Sequence, residues 1–164
     1  MKEIKIYTYL GPGVNRRVSD GILEGINLFV KRKLGLKPVY RKLKNFSEIK
    51  NEKDNYFDVF ITKNAISNSS VDDSRNLRGK IVFATKGLAD VRGYKDAKKN
   101  LSYLKNLRGA IFAYNKLAKL FNYEACNNLH CVFNYNKEEL DTLAFLYHLN
   151  KEVPLCEKHS RWCY

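Results

Sequence analysis

All four cysteines of this chain lie at or beyond residue 126, in the order Cys126-x4-Cys131, then a gap, then Cys156-x2-His159 with Cys163 a turn further on. Two close Cys/His pairs separated by a longer loop are the sequence layout of a closed tetrahedral zinc site: each pair supplies two ligands from one turn, and the loop brings the pairs together. The pattern constrains folding more than catalysis, because a fully ligated metal pins chain segments and leaves no open position for a substrate. Cys126, Cys131 and Cys156 belong to any such site, and either His159 or Cys163 completes it. The competing explanation, buried free thiols, does not account for the clustering.

At 164 residues, 45% hydrophobic and 13% aromatic, the chain is long enough for one domain with its own core. The net charge of +13 puts an excess of Lys and Arg on the surface, which favours phosphate-bearing or acidic partners, although a solubilising basic surface needs no such partner. Charged residues interrupt the first eleven positions, and no stretch approaches the ~20 apolar residues of a membrane span, so a cytoplasmic protein with no membrane association is expected. In a reducing compartment clustered cysteines point to metal before disulfides.

Alternation over Ile4 to Leu10 suits a first strand ending at Gly11-Pro12-Gly13. A helix follows, with Ser19 as its expected N-cap, an apolar stripe of Ile22, Leu23, Ile26, Phe29, Val30 and Leu34, and Gly35 as its stop. Pro38 to Leu43, Asp58 to Thr62 and Gly79 to Thr85 read as further strands, and Asn64 to Arg78 as a long polar surface loop. From Leu101 to Tyr123 the pattern is helical again, carrying Leu104, Leu107, Ile111, Tyr114, Leu117, Ala118 and Phe121 on one face, and it runs directly into Cys126. Tyr114, Tyr123 and Tyr135 suit packing, and His148 suits a core edge. His130 is a minor candidate for a substitute ligand.

This order of elements and cysteines resembles the archaemetzincins, small archaeal and eukaryotic zinc metalloproteases. In that family a long helix carries HExxHxxGxxHC, and a second zinc site follows as C-x4-C-x-M and C-x2-C. Here Cys126 to Asn134 (CNNLHCVFN) fits the C-x4-C portion with Phe133 at the Met position, and Cys156-Glu157-Lys158-His159 fits the closing pair with His159 in place of the last Cys. Asp58 to Ile61 and Gly79 to Ala84 are similar to two central strands, the second being the edge strand above the cleft. Glu138, Glu139 and Asp141 look like the acidic spacer. The resemblance implies a single α/β domain over 1–164 of metzincin-like type: a twisted mixed sheet packed on two main helices, with 125–164 a zinc-stabilised segment. It also favours His159 over Cys163 as the fourth ligand of one structural Zn2+.

Carried back from Cys126, the family's catalytic motif falls on Asn115 to Ala125 (NKLAKLFNYEA) and every functional position has changed. Asn115 and Lys119 stand at the first two His positions, Ala125 at the third, Lys116 at that of the general base, and Asn122 at that of the Gly. A catalytic zinc needs three lone-pair donors and an open position, and a protonated Lys has no lone pair. The resemblance therefore implies a pseudoenzyme that acts by binding.

Two partner classes follow. Arg16 and Arg17, Lys31 to Lys33, Arg41, Lys42 and Lys44, and Lys98, Lys99, Lys105 and Arg108, joined by Lys116 and Lys119 near the former cleft, could track RNA or a ribonucleoprotein. Alternatively, the cleft walled by Ile81 to Ala84 accepts an acidic segment of a protein complex by strand addition. A residual metallopeptidase would require the match over Asn115 to Ala125 to be wrong.

Overall fold

Alternating apolar residues from Glu3 to Leu10 form β1, with Ile4 and Ile6 wholly buried on one face. In the computed structural model, which describes residues 2–45, 54–72, 76–90, 101–135 and 140–160, β1 is followed by α1 (Arg16–Lys33), β2 (Lys37–Lys42), β3 (Tyr56–Thr62), β4 (Ser70–Asp72) and β5 (Arg78–Ala84). Then come α2 (Leu101–Leu120), α3 (Leu140–Asn150) and α4 (Glu157–Ser160). The five strands make one mixed sheet in the order β2-β1-β3-β5-β4, in which β1 pairs in parallel with β2 and β3, β3 in parallel with β5, and only β4 runs antiparallel.

The α1 stripe is buried as its spacing requires: Ile22, Ile26, Phe29 and Val30 are wholly inaccessible. The helix starts earlier than expected, however. Asn15, not Ser19, is the N-cap; its Oδ1 accepts from the backbone N–H of Arg17 (3.0 Å) and Val18 (3.3 Å). Ser19 sits a turn inside, its hydroxyl donating to the Arg16 carbonyl at 2.8 Å. The apolar stripe begins at the buried Val18, which moves the helix start back by one turn. Gly35 ends α1 as expected, in the left-handed region at φ 62°, where a Cβ would be strained.

α1 and α2 lie on the same face of the sheet and meet backbone to backbone. A Cβ on Gly21 would stand 1.9 Å from the Asn106 carbonyl oxygen, and one on Gly25 2.2 Å from that of Ala110. From the other side, a Cβ on Gly109 would stand 2.4 Å from the Val18 carbonyl oxygen. This close crossing brings Phe29 against Tyr114 and Phe121, with ring centroids 5.3 and 5.4 Å apart. The core thus sits between this helix pair and the inward residues Ile4, Ile6, Phe57, Val59, Ile61, Ile81 and Phe83. Leu43, Phe60 and Val82 are buried too but lie outside that cluster, and strand alternation puts Phe60 and Val82 on the opposite face.

Two further expectations change. The segment read as a polar loop contains β4, which pairs Ser70, Val71 and Asp72 with Lys80, Gly79 and Arg78. A three-residue edge strand with one apolar side chain leaves no periodic signal. Its presence means that β5 is not the edge strand: β4 covers it, and Ser69 Oγ takes the Val82 N–H at 2.9 Å. The β4 register spans only Arg78 to Lys80 of β5, and Ile81 to Ala84, the stretch expected to wall the cleft, lie beyond it. The second long helix ends at Leu120, because Asn122 turns into the left-handed region at φ 55°. Asn is the non-glycine residue that tolerates this best, which suits the position the resemblance gives to a glycine.

α3 takes up the apolar run near 143–149 and adds a third helix to the expected two. Arg108 Nε lies 3.0 Å from Asp141 Oδ1, and Arg108 also donates to the Asp90 carbonyl, so this cation clasps α2 to α3 and is not part of an open basic face. Tyr147 donates a short hydrogen bond to Glu24, tying α3 to α1. Among the described residues no helix is long and apolar enough to cross a membrane.

Candidate metal centre

The turn at Asn122 directs the chain away from α2 and delivers Cys126 beside the loop that follows it. The Cys126 N–H donates to the Phe133 carbonyl at 2.9 Å, closing that loop at its base. Inside it, Asn128 forms the turn: its Oδ1 accepts from the His130 N–H (2.8 Å) and its carbonyl from the Cys131 N–H (3.1 Å). The second half is docked by the Val132 N–H to the Pro154 carbonyl at 2.8 Å. Cys156 precedes α4, and its carbonyl accepts from the N–H groups of His159 and Ser160, so one helical turn sets Cys156 and His159 on the same side.

The four side chains converge. Cys126 Sγ is 3.6 Å from Cys156 Sγ, and His159 Nδ1 is 3.5 Å from Cys131 Sγ and 3.1 Å from Cys156 Sγ. All four ligand atoms lie within 4.8 Å of one another. Zinc–sulfur and zinc–nitrogen bonds of about 2.3 and 2.0 Å at tetrahedral angles imply donor separations of about 3.5–3.8 Å. The donor set could thus hold a metal ion with little adjustment. Cys131 and His159 are buried, while Cys126 and Cys156 are half-buried at the outer side.

The electrostatics differ between the inner and outer members of the cluster. Burial pushes the Cys131 thiol up to about 12, against the opposing effect of backbone N–H groups of Cys156 and Phe133. At Cys156 burial also acts upward, yet hydrogen bonds from the His159 and Lys158 N–H groups and from Cys126 and Cys131 leave the thiol below its ordinary value. His159 is held below its usual value by burial first and then by the Lys158 charge, so its ring is neutral, the form that ligates. The same ring hydrogen-bonds to the Glu124 backbone, an outer contact of the kind that orients a ligating imidazole. It also stacks on Phe133, with centroids 4.5 Å apart and planes at 19°. Lys33 Nζ lies 5.3 Å from the Phe133 ring, and the Lys158 ammonium senses Cys126 and Cys156, so cations offset the charge of a thiolate-rich centre.

Asn115 has a part that loss of a catalytic residue does not describe. Its Nδ2 donates to the carbonyls of Val132 (2.7 Å) and Asn134 (2.8 Å), fastening α2 to the backbone around Cys131. The only sequence signal was an amide at a half-buried helical position. Lys116 Nζ lies 5.8 Å from the Phe83 ring and Lys119 is exposed, so neither reaches the cluster. His130 is exposed and outside it, and the His148 ring packs edge-on against Tyr103 with centroids 5.0 Å apart. Cys163, Lys98, Lys99, Glu138 and Glu139 lie outside the described residues.

No protein-family model matches the chain, and no curated protein matches it. Among solved structures, the crystal structure of archaemetzincin from Methanopyrus kandleri is similar over 97% of this chain and 92% of that one, with a TM-score of 0.50. The fold is archaemetzincin-like. Sequence identity is 13%, so the likeness concerns the arrangement of elements.

Proposed function

We propose that this chain is a catalytically inactive archaemetzincin-like protein in which Cys126, Cys131, Cys156 and His159 hold one structural zinc, and that it works as a binding subunit for an acidic or polyanionic partner. The observation that carries this reading is the engagement of Asn115. At the position corresponding to the first catalytic His, both amide hydrogens are committed to the Val132 and Asn134 carbonyls, so the side chain serves the Cys loop. Lys116 and Lys119 supply cations where a catalytic site would need a carboxylate and an imidazole, and Ala125 supplies no donor. Zinc fits the sulfur-rich tetrahedral donor set better than harder cations, which prefer oxygen.

A phosphate-bearing partner such as RNA is the better of the two readings. β4 takes up the Arg78 to Lys80 half of β5 and so shortens the strand left for addition, while the +13 net charge favours polyanions. The test is hydrolysis of a mixed fluorogenic peptide library by the zinc-saturated full chain. No turnover above a chain carrying Cys126→Ser is expected; cleavage abolished by a chelator and restored by zinc would overturn the inactive reading.

A further inference from the structure

The three cations that close α1 do not act together. Lys33 turns over the rings of Tyr123 and Phe133, whereas Lys31 and Arg32 line a cavity of about 800 Å³ beside the metal centre. Its walls are the end of α1, the last turns of α3, the 152–155 segment and Ser160 of α4, and the Cys126–Cys131 loop contributes His130. Lys31, Arg32, His130 and Glu152 take part in no ion pair among the described residues. Charges left unpaired at the surface of one concave site are available to a ligand, whereas those at Lys37, Arg108 and Lys158 are already engaged.

The chemistry of the walls narrows the ligand. Two cations against one carboxylate favour an anion, and a guanidinium, an ammonium and an imidazole lining the same cavity are the groups that bind phosphate. A bare phosphate would leave most of 800 Å³ empty, since this volume is that of a site for a drug-sized molecule. Leu146, Pro154 and Leu155 supply apolar lining, and the Asn150 amide and Glu152 carboxylate supply further polar groups. That combination suits a heterocycle against the apolar side chains and hydroxyl or amino groups at the amide and carboxylate. We propose that this cavity binds a nucleoside phosphate unit, with its phosphate at Lys31, Arg32 and His130 and its base over Leu146 and Leu155. The assignment does not depend on whether the chain cleaves peptides, and no step of chemistry is required of the site.

The test is calorimetric titration of the full chain, as purified, with each of the four ribonucleoside 5′-monophosphates, the same nucleosides without phosphate, and inorganic phosphate. The expected result is saturable one-to-one binding of at least one monophosphate, with the nucleoside and inorganic phosphate each at least tenfold weaker. Lys31→Ala combined with Arg32→Ala should weaken binding at least tenfold while leaving the ligand-free melting temperature unchanged, and His130→Ala should weaken it on its own. Lys80→Gln, on the sheet, should have no effect. A 5′-phosphorylated trinucleotide distinguishes the sources: tighter binding than the monomer assigns the site to an RNA end, and equal binding to a free nucleotide. The proposal is overturned if no monophosphate saturates the chain, if inorganic phosphate binds as tightly as the nucleotide, or if the double variant binds like the parent.

Discussion

The sheet with α1 and α2 and the segment from Cys126 to Ser160 are held by different physics. In the first, wholly buried aliphatic and aromatic side chains on three strands face two helices that touch at Gly21, Gly25 and Gly109, and burial at about 1.5–3 kcal/mol per large side chain supplies most of the stabilisation. In the second, α4 is four residues long, and the loop before it is closed by a few backbone hydrogen bonds and four converging ligand atoms. It is not without apolar anchors, since Val132, Phe133, Leu143, Ala144 and Val153 join the main core. Those anchors fix where the segment docks, and the Cys/His cluster fixes how its two halves meet. One region is specified by shape, the other by donor chemistry.

The largest effect is expected from stripping the metal proposed for the Cys/His cluster. Structural zinc sites of this kind contribute on the order of 10 kcal/mol in small metal-dependent folds. A chelator should therefore abolish hydrogen-exchange protection at Cys126, Val132 and Ser160 while the amides of β1, β3 and α1 stay protected. Loss of protection throughout would show that the two regions do not separate. His159→Ala should reproduce the chelated pattern.

An opposite perturbation strikes the packed layer. Gly21→Ala places a methyl 1.9 Å from a backbone carbonyl that cannot move without its helix, and should cost about 3 kcal/mol, read as a lower denaturation midpoint with unchanged zinc stoichiometry. Asn115→Ala probes the joint between the regions. Loss of two hydrogen bonds to half-buried carbonyls should cost about 2 kcal/mol, and it should weaken zinc binding about tenfold, because an outer support of Cys131 is gone.

The pH dependence of metal retention separates the two regions further. Burial holds the Cys131 thiol well above its ordinary value, at about 12, so protons compete with the metal for this ligand. Metal occupancy and the amide protection of the Cys126 to Ser160 segment should therefore fall together as pH is lowered below neutrality, while the amides of β1, β3 and α1 stay protected; hydrogen exchange across a pH series measures both. The smallest effect is expected at the exposed Lys158–Glu124 pair, 2.8 Å apart: Lys158→Gln should leave the melting temperature within experimental scatter.

These differences also explain what could be read from the residues. The α1 stripe and the central strands were legible because apolar periodicity reports burial, and the convergence of Cys126, Cys131, Cys156 and His159 was legible because few residue types donate to a soft metal. The Gly21 and Gly25 contact with α2 was not, since a missing side chain carries no periodicity. β4 escaped because three residues at an edge need pairing more than propensity. Ser19 reads as a cap from its residue type and its place before the apolar stripe, and only the burial of Val18 shows that the helix already runs from Asn15. Asn115 was read as the loss of a ligand, because its two acceptors lie 17 and 19 residues away and depend on how the Cys loop folds back.

The most direct test of the central claim is the zinc content per chain, by elemental analysis of protein purified without added metal. One zinc per chain, falling to none in Cys131→Ser, is the expected result. No zinc in the parent chain would contradict the structural metal centre, and two per chain would contradict the reading of the Asn115 to Ala125 segment as a site without a catalytic metal.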